Sequence, residues 1–410
     1  MKNQLKIAYL APEIPALSAT FVYNEILRLE KSGCQIVPLS VHQPHSPARE
    51  GALANLESRT EYLYRTPKGT MLRDNLYLLV RHPIRYLRFL ASAVGDAWRA
   101  GLLNRIGLGL IYRFIVAARV ARILQKQGCE HLHVHFAHIP TDIAMYAAGM
   151  AAIPFSFTAH ANDLFERGWL LAQKVQRAKF AVTISEYNRQ FLIGQGGSEH
   201  KIHVVRCGVD PGAFAHDRGR ATNPIPKIGT LGRMVEKKGF DDLIRACGLL
   251  SERKIAFNLE IAGDGPLQSD LQKLAGDGDL AKRVNFIGPL AHDRVPDWLQ
   301  GLDLFVLACK KDRIGDMDGI PVVLMEAMLA GVPVISCRIS GIPELIEDGK
   351  SGLLAEPANP GDLAEAIARL LSDDTLAHNF RKNAVEKIQA EFKLSDNVAA
   401  LNNLFREVVQ

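Results

Sequence analysis

The chain has 410 residues, 48% of them hydrophobic and 23% charged, with a formal net charge of +5. That balance excludes a disordered or fibrous chain, and the length suits two ordinary domains better than one core. Six cysteines (Cys34, Cys129, Cys207, Cys247, Cys309 and Cys337) stand singly with no Cys-x-x-Cys or zinc spacing, so they read as reduced thiols of a cytoplasmic protein.

Taken in chain order, residues 5–10 form a first strand. Pro12 and Pro15 cut its apolar run too short for a secretory segment. Residues 20–31 set Phe21, Val22, Ile26 and Leu29 at helical spacing, and 35–41 make a second strand. Residues 65–126 hold twelve Lys and Arg against two acids, Asp74 and Asp96, so the positive charge is concentrated there. Within that stretch, 106–118 is apolar but broken by Arg113 and too short to span a bilayer. Short strands follow at 131–136, 155–159 and 181–184, and a loop rich in Pro, Gly and Asn comes next.

The second half restarts the pattern with a strand at 227–231, a helix at 240–250, a strand at 258–262, a helix at 267–274 and a strand at 284–287. Segments 304–307, 322–329, 334–336 and 343–346 continue it, and 375–409 reads as helix without a strand partner. The alternation predicts an α/β protein of two doubly wound, Rossmann-like domains facing a cleft, with ligands outside the carboxyl ends of the strands. The expected bounds are 1–210 for a first Rossmann-like domain, 211–226 for a linker, 227–385 for a second Rossmann-like domain and 386–410 for a C-terminal helical segment.

Three motifs carry chemistry. In the block from Asp316 to Ile335, a helix starting near Pro321 or Val322 turns its free N–H groups and dipole toward Gly319, a seat for a diphosphate. Glu326 lies about one turn inside that helix among apolar residues, where it suits ribose hydroxyls. Asp318, before the helix, reaches the sugar beyond the phosphates. An acidic cap and a surface glutamate are the plainer reading, but a lone charge in a buried helix is costly. The second motif sets Arg233 and Lys238 after a strand, as a fork and a point charge for one diphosphate. The third is His160, at the end of the strand Phe157-Thr158-Ala159.

With Gly263-Asp264-Gly265-Pro266, Val284-Asn285-Phe286-Ile287-Gly288 and Ser340-Gly341-Ile342-Pro343-Glu344-Leu345, these motifs make the sequence resemble retaining glycosyltransferases of family four. Ser18-Ala19-Thr20-Phe21-Val22 and the 318–328 block look most like bacterial exopolysaccharide transferases of the colanic-acid and amylovoran type. The resemblance implies the GT-B fold, with a C-terminal helix crossing back to the first domain. It implies that Arg233 and Lys238 hold the donor diphosphate, that Glu326 takes the ribose, and that the Val322 and Val323 amides take phosphate. Asp318 and His160 would face the donor sugar. Backbone near Gly263 and Ile287 would contact the base, leaving uridine and guanosine donors both open.

Asp318 departs from the family's glutamate by one methylene. Ser18 and Thr20 replace the usual glycine pair and would supply hydroxyls.

The implied reaction moves a hexose from a nucleoside-diphosphate sugar to an acceptor hydroxyl with retention of configuration. No cofactor is expected beyond the donor substrate. The alternatives are a sugar-nucleotide epimerase and a non-catalytic sugar-nucleotide-binding protein. No metal is expected either: Asp316-Met317-Asp318 is a short Asp-x-Asp before a phosphate-binding helix, and His131, His133 and His135, alternating along one strand with His138 beyond it, have a spacing that rarely converges on one ion without a bend. The basic stretch at 65–126 has no nucleic-acid motif. It is read as an interfacial patch for anionic lipid, fitting a lipid-linked oligosaccharide acceptor at the inner face of the plasma membrane.

Overall fold

A computed structural model of the chain describes residues 4–16, 19–44, 51–214, 223–276 and 279–409. The chain divides into two units, Met1–Val205 with Ser395–Gln410, and Arg206–Leu394.

The first unit carries strands β1 (Lys6–Glu13), β2 (Gln35–His42), β3 (Glu61–Tyr62), β4 (His131–His135), β5 (Phe155–Ala159), β6 (Phe180–Thr183) and β7 (Ile202–Val204). They form one parallel sheet in the order β3-β2-β1-β4-β5-β6-β7. Its helices are α1 (Thr20–Lys31), α2 (Gly51–Ser58), α3 (Lys68–Arg81), α4 (Pro83–Ala100), α5 (Arg105–Gln127), α6 (Ile139–Ala151), α7 (Asn162–Phe165), α8 (Leu171–Arg177) and α9 (Glu186–Gly194).

A parallel sheet needs crossover helices, which cover both of its faces. Ile7, Ala8, Tyr9 and Leu10 of β1 are accordingly all buried, whichever face they point to. Helix α1 buries Val22, Tyr23, Ile26 and Leu29, and Arg28 and Lys31 sit in its last turn against the dipole's negative end. Helix α5 starts where the Asn104 side chain accepts from the Ile106 and Gly107 amides, and stops at Gly128 in the left-handed region.

The second unit repeats the design with β8 (Lys227–Leu231), β9 (Asn258–Ala262), β10 (Val284–Gly288), β11 (Leu304–Val306), β12 (Val334–Cys337) and β13 (Leu353–Ala355), in the parallel order β10-β9-β8-β11-β12-β13. Its helices are α10 (Phe240–Glu252), α11 (Gln268–Ala275), α12 (Val295–Gln300), α13 (Val322–Leu329), α14 (Ile342–Leu345), α15 (Pro360–Ser372) and α16 (Asp374–Glu391). Two apolar clusters flank the sheet, one around Ile228, Leu259 and Phe380, the other around Phe305, Leu324 and Phe392. The strand order reverses between β8 and β11, the topological switch point at which open α/β sheets take ligands.

The last helix, α17 (Leu394–Val409), returns to the first unit. It buries Val398, Leu401 and Phe405, and Phe405 packs its ring against His131, His133 and Phe180. Alternation along β4 puts His131, His133 and His135 on that face of the sheet and Leu132 and Val134 in the opposite core. The polar rings are matched by β5, whose Ser156 bonds His131 and His133 and whose Thr158 bonds His133.

Burial favours the neutral form of His131, His133, His138 and His160 in the folded protein. Burial pushes His131 and His138 down to about 3, and His133 and His160 well below their usual range. The folded pKa values lie below the unfolded ones, so protonation favours the unfolded chain. The stability they allow is full above about pH 6.5 and is lost as pH falls toward 3. Four such rings are expected to remove on the order of 5 kcal/mol between pH 7.5 and 5.5. A melting series across that range checks it, and a flat melting temperature refutes it.

Candidate functional site

In the second unit three loops at the carboxyl ends of β8, β9 and β10 are stitched together through their backbones. Met234 N donates to Asp264 O at 2.6 Å, Gly232 N to Ala262 O at 3.2 Å, and Gly263 N to Gly288 O at 2.8 Å. This brings Arg233, Gly263 and Ile287 onto one rim. Arg233 is exposed and makes no ion pair among the described residues.

Gly263 has φ +113°, and a β-carbon there would meet Gly232 O at 2.0 Å. Gly263→Ala is expected to cost about 3 kcal/mol in stability, through strain and loss of the close approach. It should also shift the Arg233 loop, so that the melting temperature falls.

Lys237 and Lys238 sit on the turn between β8 and α10. Gly239 closes that turn with φ +64°, and a β-carbon there would lie 1.8 Å from Ala308 O. Only glycine lets the turn lie flat on the segment after β11. The Lys238 stem runs past Gly232, and its ammonium meets Asp318 at 2.6 Å. Lys237 bridges Asp316 at 2.7 Å and Asp318 at 3.4 Å. The Cys309 thiol donates to Asp318 at 3.6 Å and stays protonated, because burial and the Asp318 charge raise its pKa.

Burial opposes the charges on Lys238 and Asp318. The attraction of Asp318 more than offsets it at Lys238, despite repulsion from Lys237, and holds that ammonium above its ordinary value, while Lys238 and Lys237 together hold Asp318 below its own. The resemblance gave Lys238 to the diphosphate and Asp318 to the sugar; the fold also ties the two to each other. The Asp-x-Asp carboxylates of Asp316 and Asp318 both face ammonium groups.

Beyond Gly319, Pro321 leads into α13 without a side-chain cap. The Val322 and Val323 amides, in its first turn, have no intrahelical acceptor and no other partner among the described residues. Glu326 is 9% exposed on the same helix and forms no ion pair or side-chain hydrogen bond among the described residues. Burial raises its pKa, opposed by His292 on the turn before α12.

In the first unit, His160 follows β5 and is 6% exposed. Asp163 pins its loop by accepting from the His160, Ala161 and Ala137 amides at 3.0, 3.0 and 2.6 Å. The ring lies against Phe21 and Phe136, with centroids 4.5 and 4.7 Å away, and stacks on His135. Thr20 begins α1 beside Phe21; Ser18 lies outside the described residues.

Ligand atoms of Glu25, His133 and His135 fall within 4.8 Å of one another, which resembles a metal site. All four ring nitrogens, however, are already hydrogen-bonded to Ser156, Thr158, His160 and Glu25. Lys237, Cys309, His292, Glu25 and Asp163 escape sequence reasoning. Only Lys237, next to Lys238 and of the same charge, leaves a signal there.

Residues 216–387 match the family described as glycosyl transferases group 1, and residues 88–213 match glycosyltransferase family 4. The putative colanic acid biosynthesis glycosyltransferase WcaL of Escherichia coli K12 is 30% identical over 400 residues, covering 95% of this chain and 96% of that one. The amylovoran biosynthesis glycosyltransferase AmsK of Erwinia amylovora is 28% identical over 398 residues, with the same coverage. Among solved structures, a glycosyltransferase from Rickettsia africae ESF-5 superposes with a TM-score of 0.72 at 16% identity, covering 100% of this chain and 99% of that one. Anabaena Alr3699/HepE in complex with UDP and glucose gives 0.70 at 16% identity over 98% and 100%. These likenesses extend over the two-domain GT-B fold.

Proposed function

The chain belongs to the glycosyltransferases of group 1 and family 4, and from that membership we propose that it transfers a hexose from a nucleoside-diphosphate sugar to a glycan acceptor hydroxyl during exopolysaccharide synthesis. The observation that carries the donor reading is Glu326, a buried carboxylate that forms no ion pair or hydrogen bond among the described residues, on a helix whose first amides have no partner among them either. A diphosphate on the Val322 and Val323 amides, with ribose hydroxyls on Glu326, satisfies both ends of that helix segment at once. Arg233 and Lys238 stabilise the charge of the departing nucleotide.

We assign retention of configuration and no metal requirement. Asp318 is held by two ammonium groups and is poorly disposed to attack an anomeric carbon, so the leaving phosphate takes the acceptor's proton on the same face. The ammonium groups also occupy the carboxylates a cation would need.

The acceptor is read as lipid-linked. Of the sixteen large hydrophobic residues exposed among the described residues, thirteen lie between Leu72 and Ile115, including Val80 at 80%, Ile84 at 85%, Trp98 at 74% and Leu103 at 89%. The two acids of that stretch point inward: Asp74 pairs with Arg119, and Asp96 with Arg177. The outer face therefore presents apolar side chains amid cations alone, including Arg73, Arg81, Arg88 and Arg105, a pattern suited to an anionic bilayer. No helix among the described residues is long and apolar enough to cross a membrane. A cavity of about 690 Å³ lined by Glu13, His42, Tyr64 and Arg65 opens at the ends of β1 and β2, just before α3, and suits the acceptor's polar head.

The test is a thermal-shift panel of sugar nucleotides, followed by transfer to polyprenyl-diphosphate oligosaccharide in phosphatidylglycerol vesicles, with and without chelator. Retained anomeric configuration and chelator-insensitive turnover support the reading. Free nucleotide with isomerised sugar and no acceptor indicates an epimerase, and donor binding without turnover indicates a binding protein. The double variant Ile84→Glu, Trp98→Glu is expected to lose vesicle binding at least tenfold at an unchanged melting temperature. Undiminished binding overturns the membrane assignment.

A further inference from the structure

The Glu25, His135 and His160 side chains form a hydrogen-bonded line from α1 through the end of β4 to the loop after β5. Glu25 Oε1 lies 2.9 Å from His135 Nε2, and His135 Nδ1 lies 3.1 Å from His160 Nε2. The Tyr9 hydroxyl donates to the same Glu25 oxygen. We propose that Glu25 is a positioning residue that fixes the tautomer of His160 through His135, so that His160 presents a bare Nδ1 as a hydrogen-bond acceptor to a substrate hydroxyl. The proposal rests on the reading of His160 as a sugar contact.

A carboxylate only accepts, so the proton between Glu25 and His135 sits on His135 Nε2. With its single proton on Nε2, the His135 ring has a lone pair at Nδ1, and the 3.1 Å contact is then a bond only if His160 Nε2 carries its proton. Burial keeps His160 neutral, so its Nδ1 is left with a lone pair. That atom makes no hydrogen bond to any described residue. The ring has little freedom to turn and exchange its nitrogens, because Phe21, Phe136 and His135 pack against it and Asp163 anchors its backbone.

The rest of the buried polar face does not need Glu25. His131 and His133 find partners in Ser156 and Thr158. Glu25 is 17% exposed by its side chain, on a helix otherwise anchored by apolar residues, and its one cationic or imidazole partner among the described residues is His135. Its placement is explained by the histidine line better than by packing.

Proton-detected ¹⁵N spectra of histidine-labelled full-length protein read the tautomer directly, with His160 assigned by its loss in His160→Gln. The expected wild-type spectrum shows a neutral His160 protonated on Nε2. A His160 protonated on Nδ1, the arrangement a doubly protonated His135 would impose, overturns the proposal without any measurement of activity.

In Glu25→Gln, whose amide can donate as well as accept, a mixed tautomer population is expected. Its kcat should fall on the order of 10- to 100-fold with the donor KM within about twofold. Tyr9→Phe leaves the carboxylate in place and keeps the wild-type tautomer. An unchanged tautomer in Glu25→Gln, or a change with undiminished kcat, also overturns it. A wild-type protein with the expected spectrum but no transferase turnover would sink the functional reading and leave the tautomer intact.

Discussion

Lys238→Ala is expected to lower transfer about 10³-fold while shifting the melting temperature by only a few degrees. The rate loss follows from the position of the ammonium. Lys238 is 17% exposed at its side chain, and its raised pKa keeps it charged throughout the physiological range. A preorganised cation in a partly desolvated site stabilises a developing diphosphate by several kcal/mol, comparable to other single electrostatic deletions at active sites.

The small stability loss follows from Lys237, which still faces Asp318 at 3.4 Å after Lys238 is removed. The double variant Lys238→Ala, Asp318→Asn removes the residual uncompensated charge. It should recover melting temperature without recovering transfer, which separates the structural role of the pair from its chemical one. Lys238→Arg keeps the charge but replaces the compact ammonium with a bulkier planar guanidinium, and should fall between. Wild-type turnover in Lys238→Ala would remove the residue from the donor site.

The regular part of the fold is legible in the sequence because it is dictated locally. The helix at Thr20–Lys31 and the strands at Phe155–Ala159, Lys227–Leu231 and Asn258–Ala262 begin and end where the apolar period predicts. The strands that escape are Glu61–Tyr62, Ile202–Val204 and Leu353–Ala355. Each has two or three residues at or beside a sheet edge, too short for a period of two to register, and each is strand only because a neighbour offers a ladder. Of residues 343–346, read only as continuing the array, the first three fall in the single turn Ile342–Leu345 and Ile346 caps it in extended conformation.

At the site, residue types and their places after strands are legible, while their mutual partners are not. Nothing local tells that Asp318 reaches back to Lys238 and Lys237, or that Glu25, one polar residue of an amphipathic helix, ends beside His135. The basic stretch shows the same limit. Its charge count is plain in sequence, but only the fold turns Asp74 and Asp96 inward and sends Arg113 to a buried pair with Asp142.

Glu326 provides the sharper test, because its two effects run in opposite directions. Its carboxylate is buried with no hydrogen bond or ion pair among the described residues and only the distant help of His292, a cost of about 1–3 kcal/mol against a neutral side chain that fits the same space. Glu326→Gln is therefore expected to raise the melting temperature at pH 7.5 by a few degrees.

The sign with pH follows from the raised pKa. The folded value exceeds the unfolded one, so protonation favours the native state. The carboxylate's penalty is absent below about pH 4.5 and grows as pH rises through the folded value. The stabilisation by glutamine should accordingly vanish in acid.

Donor binding moves the other way. A carboxylate accepts charge-assisted bonds from both ribose hydroxyls, and the amide retains one weaker acceptor, so donor affinity should fall on the order of 100-fold. Tm measured with saturating sugar nucleotide should then rank wild type above the variant, reversing the order seen without ligand. A variant that is stabilised yet binds donor as the wild type does would make Glu326 a bystander in the helix. A variant that is destabilised would mean that the carboxylate has a partner in the free protein, and the diphosphate-and-ribose reading of α13 would lose its main support.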